Sequence, residues 1–429
     1  MQSCGLFRRR MPHRSSLRIG VNCLDVYPSF VGGVTTYVLG LLEGLAEVEK
    51  GMRFRLYFSR ENAHLFERFK SHDNFDFVVA GNFYRFAKLA CNATLLAHSA
   101  WVYECVSNVL FRALRKRLDR ECDLILNPTP TLHYFNARRP VLLCMHDIQH
   151  LHYPEFFPWH RRLSRNIKYA LSARWAHYFQ ANSEYTKADM LEHFPWLSPD
   201  QVEVIASGAL LGRFELPADV DVIAKYKLPQ RFLFYPAQLW PHKNHLTLLK
   251  ALKHLETTSN LQVPLVLTGE QFGASEQVFG FIRDNQMDHV YYLGKVPFAD
   301  LVGLYQSATF LVTTTLHESS SLPIFEAAAA GTPVMASRIP PIEEIGRMLR
   351  LNYFDPLDPV DIATSIRALW MDDAKRRSQS EYNRDAVRCF SWTNTAQGFA
   401  KLFLRIGLSS PERMGAASTE RTARGVVAS

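Results

Sequence analysis

Two glutamates in the stretch "HESSSLPIFEAAAAGTPVMAS" (residues 317–337) could form part of a ligand site. Glu318 and Glu326 stand eight residues apart, after the apolar run "TFLVTTT", which is typical of a buried strand. Pro323 is suited to the first turn of a helix, and Gly331 is suited to ending it. Glu318 is therefore expected in the loop after the strand, and Glu326 in or near the first helical turn. The two acids do not share one helical face.

This arrangement suits a ligand with both hydroxyl and phosphate groups. Carboxylates accept hydrogen bonds from sugar or ribose hydroxyls. Free backbone N–H groups at a helix start, here those of residues 319–322, bind phosphate. The alternative is a helix-start acid favoured by the helix dipole, next to an unrelated loop acid. For the two acids alone, both interpretations remain open.

The elements that would position these residues follow an alternating pattern. Short apolar runs alternate with segments that have apolar residues three and four apart, which predicts parallel sheets with helices on both faces. The predicted strands are LRIGVN (17–22), FRLYFS (54–59), CDLILN (122–127), PVLLCMHD (140–147), AHYFQANS (176–183), RFLFYPA (231–237), VPLVLTG (263–269), VYYLG (290–294), TFLVTT (309–314) and TPVMAS (332–337).

The rhythm breaks at residues 207–230, where glycines and prolines indicate a linker. The alternating pattern on both sides of this linker predicts an α/β protein of two doubly wound domains facing a cleft. Ligands of such sheets bind beyond the carboxyl ends of the strands, so a ligand is expected in that cleft. The domains are expected at 17–215 and 216–390, and an amphipathic helix at 391–408 is expected to cross back to the first domain. Residues 1–16, which are basic, and 409–429 are predicted to be flexible tails.

Composition excludes several classes of protein. The chain has 429 residues, and no apolar run reaches the roughly 18–20 residues of a membrane span. Its N-terminus lacks the apolar segment of a secretory signal, and its seven scattered cysteines fit reduced thiols in the cytoplasm. The net charge of +8 forms no basic stripe with interleaved aromatics, so nucleic acid is not an expected partner.

One segment of the first domain combines basic and apolar residues. "LFRALRKRLDR" (110–120) has the pattern of a basic amphipathic helix, and "FYRFAKLA" (83–90) lies upstream. Such a helix is either an ordinary solvated face or a peripheral attachment to an anionic membrane that carries a lipid-linked acceptor.

The 317–337 stretch resembles the E-x7-E signature of the retaining family 4 glycosyltransferases, also known as glycosyl transferases group 1, which have the GT-B fold. Ser319 and Ser321 stand where that signature commonly has glycines. The resemblance implies that Glu318 contacts donor sugar hydroxyls and that Glu326 contacts the ribose diol. It also implies that the backbone of Ser319, Ser320, Ser321 and Leu322 binds the diphosphate. The matching positions are Glu318, Leu322, Pro323, Glu326, Gly331, Pro333 and Val334.

A second motif opens the second domain. In "YPAQLWPHKNHLTLLKAL" (235–252), Lys243 matches the family lysine, and Gln238 takes the position of the family arginine. A lysine beyond a strand end can neutralise a departing diphosphate, whereas glutamine cannot. "YLGKVP" (292–297) resembles the segment that meets the nucleobase through backbone groups, which implies donor contacts at Gly294 and Val296.

The first domain supplies the remaining candidate residues. Gly32 and Gly33 precede a helix and permit close approach of a donor phosphate, although a turn is the alternative. His146 and Asp147 follow a predicted strand, and the resemblance implies that His146 contacts substrate and that Asp147 lies on the acceptor side.

The segment around them is rich in histidine and invites comparison with a metal site. It lacks a helical metal-binding spacing such as H-E-x-x-H, so we predict no metal site here. Three further histidines are expected only to pack in the loop: His150, His152 and His160.

Taken with the resemblance, these residues predict a glycosyltransferase. It would move a hexose, mannose- or rhamnose-like by preference, from a nucleotide-sugar to a hydroxyl of a glycan or lipid-linked acceptor, with retention. The expected context is synthesis of cell-surface polysaccharide or lipopolysaccharide, in the cytoplasm or peripherally on the membrane's cytoplasmic face. No cofactor or metal is expected. The alternatives are a nucleotide-sugar 2-epimerase and a noncatalytic nucleotide-sugar-binding subunit.

Overall fold

The computed structural model describes residues 16–27, 33–48, 51–80, 83–95 and 98–408. Two parallel sheets organise these residues. The first sheet has seven strands in the order β3-β2-β1-β4-β5-β6-β7. Its strands are β1 Leu17–Asn22, β2 Met52–Phe58, β3 Phe75–Val79, β4 Leu124–Asn127, β5 Val141–Met145, β6 Tyr178–Ala181 and β7 Val202–Val204.

The second sheet has six strands in the order β10-β9-β8-β11-β12-β13, and its strand pairs are parallel. All of its strands come after the predicted linker. They are β8 Leu233–Pro236, β9 Leu265–Thr268, β10 Val290–Tyr292, β11 Phe310–Thr313, β12 Val334–Ser337 and β13 Asn352–Phe354.

Helices connect the strands of both sheets, as parallel pairing requires. In the first domain they are α1 Gly33–Ala46, α2 Phe83–Thr94, α3 Ala100–Leu110, α4 Arg112–Glu121, α5 Gln149–His152, α6 Trp159–Trp175 and α7 Glu184–His193. The later helices are α8 Gly212–Glu215, α9 Val222–Tyr226, α10 His245–Ser259, α11 Ser275–Asp284, α12 Phe298–Ser307, α13 Leu322–Ala330, α14 Pro340–Ile345, α15 Pro359–Met371, α16 Asp373–Ala386 and α17 Trp392–Leu408.

Each sheet is buried on both faces. In β4, Leu124 and Leu126 belong to one apolar cluster and Ile125 belongs to another, because successive side chains point to opposite faces. The second sheet likewise separates two clusters, with Phe234 of β8 in one and Leu233 and Tyr235 in the other. Helices thus cover both faces of both sheets, and the α/β prediction is confirmed.

The last helix returns to the first domain, as predicted. Trp392 at the start of α17 packs against Gly40 and Gly44 of α1, where an added Cβ on Gly40 would lie 2.1 Å from the indole ring. The linker that leaves the first domain also contacts the segment that returns to it, since the N–H of Ala209 donates to the carbonyl of Phe390 at 2.8 Å. The chain therefore passes between the sheets through two adjacent segments. Within the described ranges, no helix is both long enough and apolar enough to cross a bilayer.

Candidate active site

The predicted donor residues of the second domain gather at one edge of its sheet. Gln238 follows β8, Gly294 follows β10 and Glu318 follows β11. Because these strands are parallel, their carboxyl ends lie at the same edge, where doubly wound sheets bind ligands. The topology thus brings together residues that are distant in sequence.

The loop after β11 is bonded to the turn after β8. The N–H of Leu316 donates to the carbonyl of His242 at 2.7 Å. The carbonyl of Lys243 accepts bonds from the hydroxyls of Tyr235, at 2.7 Å, and Thr314, at 3.2 Å. These contacts fix the backbone from which the Lys243 side chain extends.

Lys243 and Glu318 form an ion pair at this edge. The Lys243 Nζ lies 2.5 Å from Oε1 of Glu318, and both side chains are largely buried. Low solvent exposure strengthens such an attraction relative to a surface pair. The carboxyl-terminal edge of this sheet therefore has, side by side, a cation and a carboxylate that can accept hydrogen bonds from hydroxyl groups.

Helix α13 begins close to this pair. It starts at Leu322 with Pro323 in its first turn, and it ends at Gly331, whose φ of 77° suits glycine. Its first N–H groups have no acceptor within the helix, as at any helix start. Ser321 is the N-cap but its side chain makes no capping bond to the helix. The predicted start and stop signals are confirmed.

Glu326 lies just past the first turn of α13, within the region that the sequence predicted. It is the fifth residue of the helix, because the helix begins at Leu322, and the first turn contains no acid. Its Oε2 accepts a 2.6 Å hydrogen bond from the hydroxyl of Tyr305. Burial raises the pKa of Glu326 to about 7, although the bond from Tyr305 acts to lower it. This carboxyl group changes charge near neutral pH.

The other predicted donor residues follow the ends of β8 and β10. The side chain of Gln238 accepts a bond from the Trp240 indole at 2.9 Å, and that ring stacks on Phe272 with centroids 4.0 Å apart. Gly294 has a φ of 65°, and its carbonyl accepts the N–H of Gly269 at 2.9 Å. Val296 is half-buried against an apolar cluster of the second domain.

In the first domain, His146 follows β5 as predicted. Its Nε2 lies 3.0 Å from the carbonyl oxygen of Pro128, which can only accept, so Nε2 carries the proton. Burial lowers the pKa of His146, which keeps the ring neutral and leaves Nδ1 as an acceptor. The neighbouring Asp147 accepts the N–H of Gln149 at 3.2 Å. Gly33 is exposed at the start of α1, and Gly32 lies outside the described residues.

The two domains meet next to the Glu318 loop. The Tyr153 hydroxyl donates to the carbonyl of Leu316 at 3.0 Å, and the Asn182 amide donates to Oγ of Ser319 at 3.3 Å. The carboxylate of Glu344 also accepts the first N–H groups of α7, at 2.8 and 2.6 Å. Of these residues, only Ser319 was expected at the site. Ser183 caps α7, accepting the N–H of Thr186 at 3.1 Å.

Comparison with known proteins identifies the family of this protein. Residues 222–386 match the family model described as "Glycosyl transferases group 1", and residues 31–209 match the model described as "Glycosyltransferase Family 4". The two ranges do not overlap, and together they cover most of the chain. The protein belongs to this glycosyltransferase family.

Individual relatives match this chain at low identity and over part of its length. The O-antigen chain mannosyltransferase B of Escherichia coli is 27% identical over 256 residues, which is 58% of this chain and 66% of the relative. The MMP α-(1→4)-mannosyltransferase of Mycolicibacterium hassiacum is 27% identical over 247 residues, 56% of this chain and 55% of the relative. The chain thus matches about half to two thirds of the length of these relatives.

A solved structure shares the whole architecture. Anabaena Alr3699/HepE, crystallised in complex with UDP and glucose, aligns with a TM-score of 0.68 at 18% identity. The alignment covers 91% of this chain and 100% of the other chain. The fold is therefore the GT-B fold of two Rossmann-like domains.

Proposed function

We propose that this protein transfers a hexosyl group from a nucleotide-sugar to a hydroxyl of a glycan or lipid-linked acceptor, with retention at the anomeric carbon. The observation that carries the proposal is the Lys243–Glu318 pair beside the start of α13. The pair and the start of α13 together place a cation, a carboxylate and free N–H groups at the carboxyl ends of the strands. A nucleotide-sugar has the diphosphate and the hydroxyls that such a set binds.

Lys243 and the start of α13 act on the leaving group. As the bond between the sugar and the diphosphate breaks, negative charge grows on the diphosphate. The Lys243 ammonium and the N–H groups of residues 319–322 stabilise that charge, as preorganised donors do in other active sites. These groups perform the task that a metal ion performs in many phosphate-transferring enzymes, so the proposed transfer requires no metal.

The two glutamates bind hydroxyl groups. Glu318 accepts hydrogen bonds from the donor sugar, and Glu326, beside Tyr305, accepts them from the ribose diol. Neither residue forms a covalent intermediate, in contrast to the nucleophile of retaining glycosidases. Mass spectrometry of the intact protein during turnover tests this step, because a glycosyl adduct on either glutamate would contradict it.

The first domain completes the proposed site. His146 presents Nδ1 as an acceptor for a sugar hydroxyl, because its Nε2 proton is bound to Pro128. Asp147 lies on the acceptor side of this histidine. Residues 17–215 then form the acceptor-side domain, and residues 216–390 form the domain that binds the nucleotide-sugar.

The relatives suggest which sugar is moved. Both curated relatives described above are named as mannosyltransferases, one of them for the O-antigen chain. We therefore propose a mannose-like donor and a role in cell-surface polysaccharide synthesis, with the enzyme in the cytoplasm.

A surface of the first domain supports peripheral membrane contact. Helices α2 and α3 pack together and expose large apolar side chains, and α4 adds exposed basic residues. This combination suits an anionic membrane face that presents a lipid-linked acceptor.

Flotation with anionic vesicles tests the membrane contact. We expect Trp101→Ser to reduce binding to the vesicles, and Trp196→Ser, at an exposed tryptophan elsewhere, is the control. The exposed residues are Phe83, Phe86, Leu89, Trp101, Val109, Arg112, Lys116, Arg117 and Arg120.

The experiment for the proposed activity uses GDP-, UDP-, ADP- and dTDP-sugars with and without a mannose-containing glycan acceptor. We expect one donor to give a glycosylated product whose new linkage keeps the anomeric configuration of the donor. Conversion of the sugar without acceptor would indicate the 2-epimerase instead. Binding without transfer or hydrolysis would indicate a noncatalytic subunit.

A further inference from the structure

A cluster of metal-ligating side chains lies in the first domain, apart from the proposed donor residues. Asp189 and His193 are four residues apart on α7, so they share one helical face, and His152 ends α5 opposite them. The Nε2 of His152 lies 2.8 Å from Oδ1 of Asp189, and Nδ1 of His193 lies 3.1 Å from the same oxygen. The three ligand atoms all lie within 4.8 Å of one another.

These separations are close to those of an occupied metal site. Tetrahedral zinc with bonds of about 2.1 Å holds its ligand atoms about 3.4 Å apart. Side-chain movements of about an ångström therefore convert the cluster into a coordination shell. Asp189 is nearly enclosed and the two histidines are partly exposed, which gives an ion a path from solvent. Two imidazoles and one carboxylate are ligands that zinc-class divalent ions prefer.

A third histidine, which would be a fourth ligand, approaches the cluster from the second domain. The ring centroid of His317 lies 5.6 Å from that of His152. His317 is only 8% exposed, and its buried Nε2 has no hydrogen-bond partner among the described residues. A buried ring nitrogen without a partner is costly. The hydrogen bonds among the other three side chains leave this nitrogen unsatisfied, and a metal bond would satisfy it.

We propose that His152, Asp189, His193 and His317 bind one zinc-class divalent ion that bridges the two domains. Four protein ligands fill a tetrahedral shell and leave no open position, so the ion is structural and takes no part in sugar transfer. Since His317 immediately precedes Glu318, the ion would hold the loop that carries Glu318 against the first domain. His152 thereby gains a role beyond the loop packing expected from the sequence.

Binding of the ion requires His193 to give up a hydrogen bond. In the structure, Nδ1 of His193 also lies 3.0 Å from the carbonyl oxygen of its own helix at Asp189. Coordination through Nδ1 exchanges that hydrogen bond for a metal bond and requires the neutral imidazole.

The test uses the full chain after treatment with a chelator, titrated with Co²⁺ as a spectroscopic probe and then with Zn²⁺ in competition. We expect one equivalent to bind, with the strong visible absorption of tetrahedral cobalt. His193→Ala and Asp189→Asn should each weaken binding at least tenfold. His160→Ala, which removes an exposed histidine of α6, is the matched control and should bind as the wild type does.

His317→Ala tests the bridge between the domains. We expect it to weaken binding at least tenfold and to reduce the rise in thermal midpoint that Zn²⁺ gives the wild type. Thermal unfolding in chelator shows that each variant is folded. Substoichiometric binding, or unchanged affinity in His193→Ala, would overturn the site. Unchanged affinity in His317→Ala would overturn the bridge.

Discussion

The ammonium of Lys243 lies 2.5 Å from the carboxylate of Glu318, although the two residues are 75 positions apart in the chain. The pair joins the loop after β8 to the loop after β11, and both side chains are largely shielded from water. A diphosphate at this edge would meet the cation, and the attached sugar would meet the carboxylate. The proposed donor site is built around this pair.

Replacing the cation tests its proposed role in the departure of the diphosphate. We expect Lys243→Met to lower kcat/KM for the nucleotide-sugar at least 100-fold, since a loss of about 2.7 kcal/mol is typical when one donor to a developing charge is removed. Steady-state kinetics measures it. Lys250→Met, at an exposed lysine of α10, is the matched control and should keep normal kinetics. A loss below threefold in Lys243→Met would contradict the role.

Glu326 gives donor binding a dependence on pH. Its pKa is raised to about 7, so the carboxyl is mostly protonated at pH 6 and mostly ionised at pH 8. The ionised form accepts hydrogen bonds from a ribose diol better, and we expect affinity for the nucleotide-sugar to rise about tenfold, or about 1.4 kcal/mol, over this range.

Calorimetric titration at several pH values measures this dependence, and Glu326→Gln is its isosteric control. The variant should bind more weakly at pH 8 and show a nearly flat profile. A wild-type affinity that is flat or falls as pH rises would contradict the proposed contact with the ribose.

Ser319 is tied to the first domain through Asn182, which distinguishes this chain from the glycine of the family signature. The bond from the Asn182 amide to the Ser319 hydroxyl is 3.3 Å long. We expect Ser319→Gly and Asn182→Ala each to raise the donor KM roughly twofold to fivefold, because each loses the same bond of about 1 kcal/mol. In the double variant the effects should not add. Full additivity in the kinetic cycle would show that the two residues act separately.

The contact of α17 with α1 leaves no space for a methyl group on Gly40. An added Cβ would lie 2.1 Å from the ring of Trp392, so Gly40→Ala forces the helices apart. We expect a loss of roughly 1–3 kcal/mol, which lowers the thermal midpoint by about 2–4 °C per kcal/mol for a domain of about 200 residues. Helix propensity alone predicts the opposite sign, a gain of about 1 kcal/mol.

Differential scanning calorimetry compares this variant with Gly212→Ala, whose added Cβ meets nothing within 4 Å. The control should unfold at or above the wild-type midpoint. A Gly40→Ala protein that is as stable as the control would show that α17 does not pack closely on α1.

The sequence predicted the strands that matter most for the site. Parallel strands are buried on both faces and therefore read as continuous apolar runs, as at β5 and β11. The predictions missed β3, β7 and β13, which are edge strands of the two sheets, have mixed burial and, in two cases, have only three residues. Such short strands are defined by their neighbours rather than by their own pattern.

Side-chain partners were less predictable than strands. The bond from Tyr305 to Glu326 and the Glu344 contacts with α7 depend on how separate elements pack, and no local pattern marks them. The spacing of Asp189 and His193 was a usable signal, since residues four apart on a helix share a face. His152 and His317 had no such signal, because the fold brings them to α7 from other elements.

We propose above that the site beside Lys243 and Glu318 binds a nucleotide-sugar. Calorimetric titration of the wild type with GDP-, UDP-, ADP- and dTDP-sugars tests it most directly, with Lys243→Met and Lys250→Met titrated in parallel. We predict that one donor binds the wild type and Lys250→Met with equal affinity and binds Lys243→Met at least tenfold more weakly. No binding of any donor, or equal binding by all three proteins, would contradict a donor site at this position.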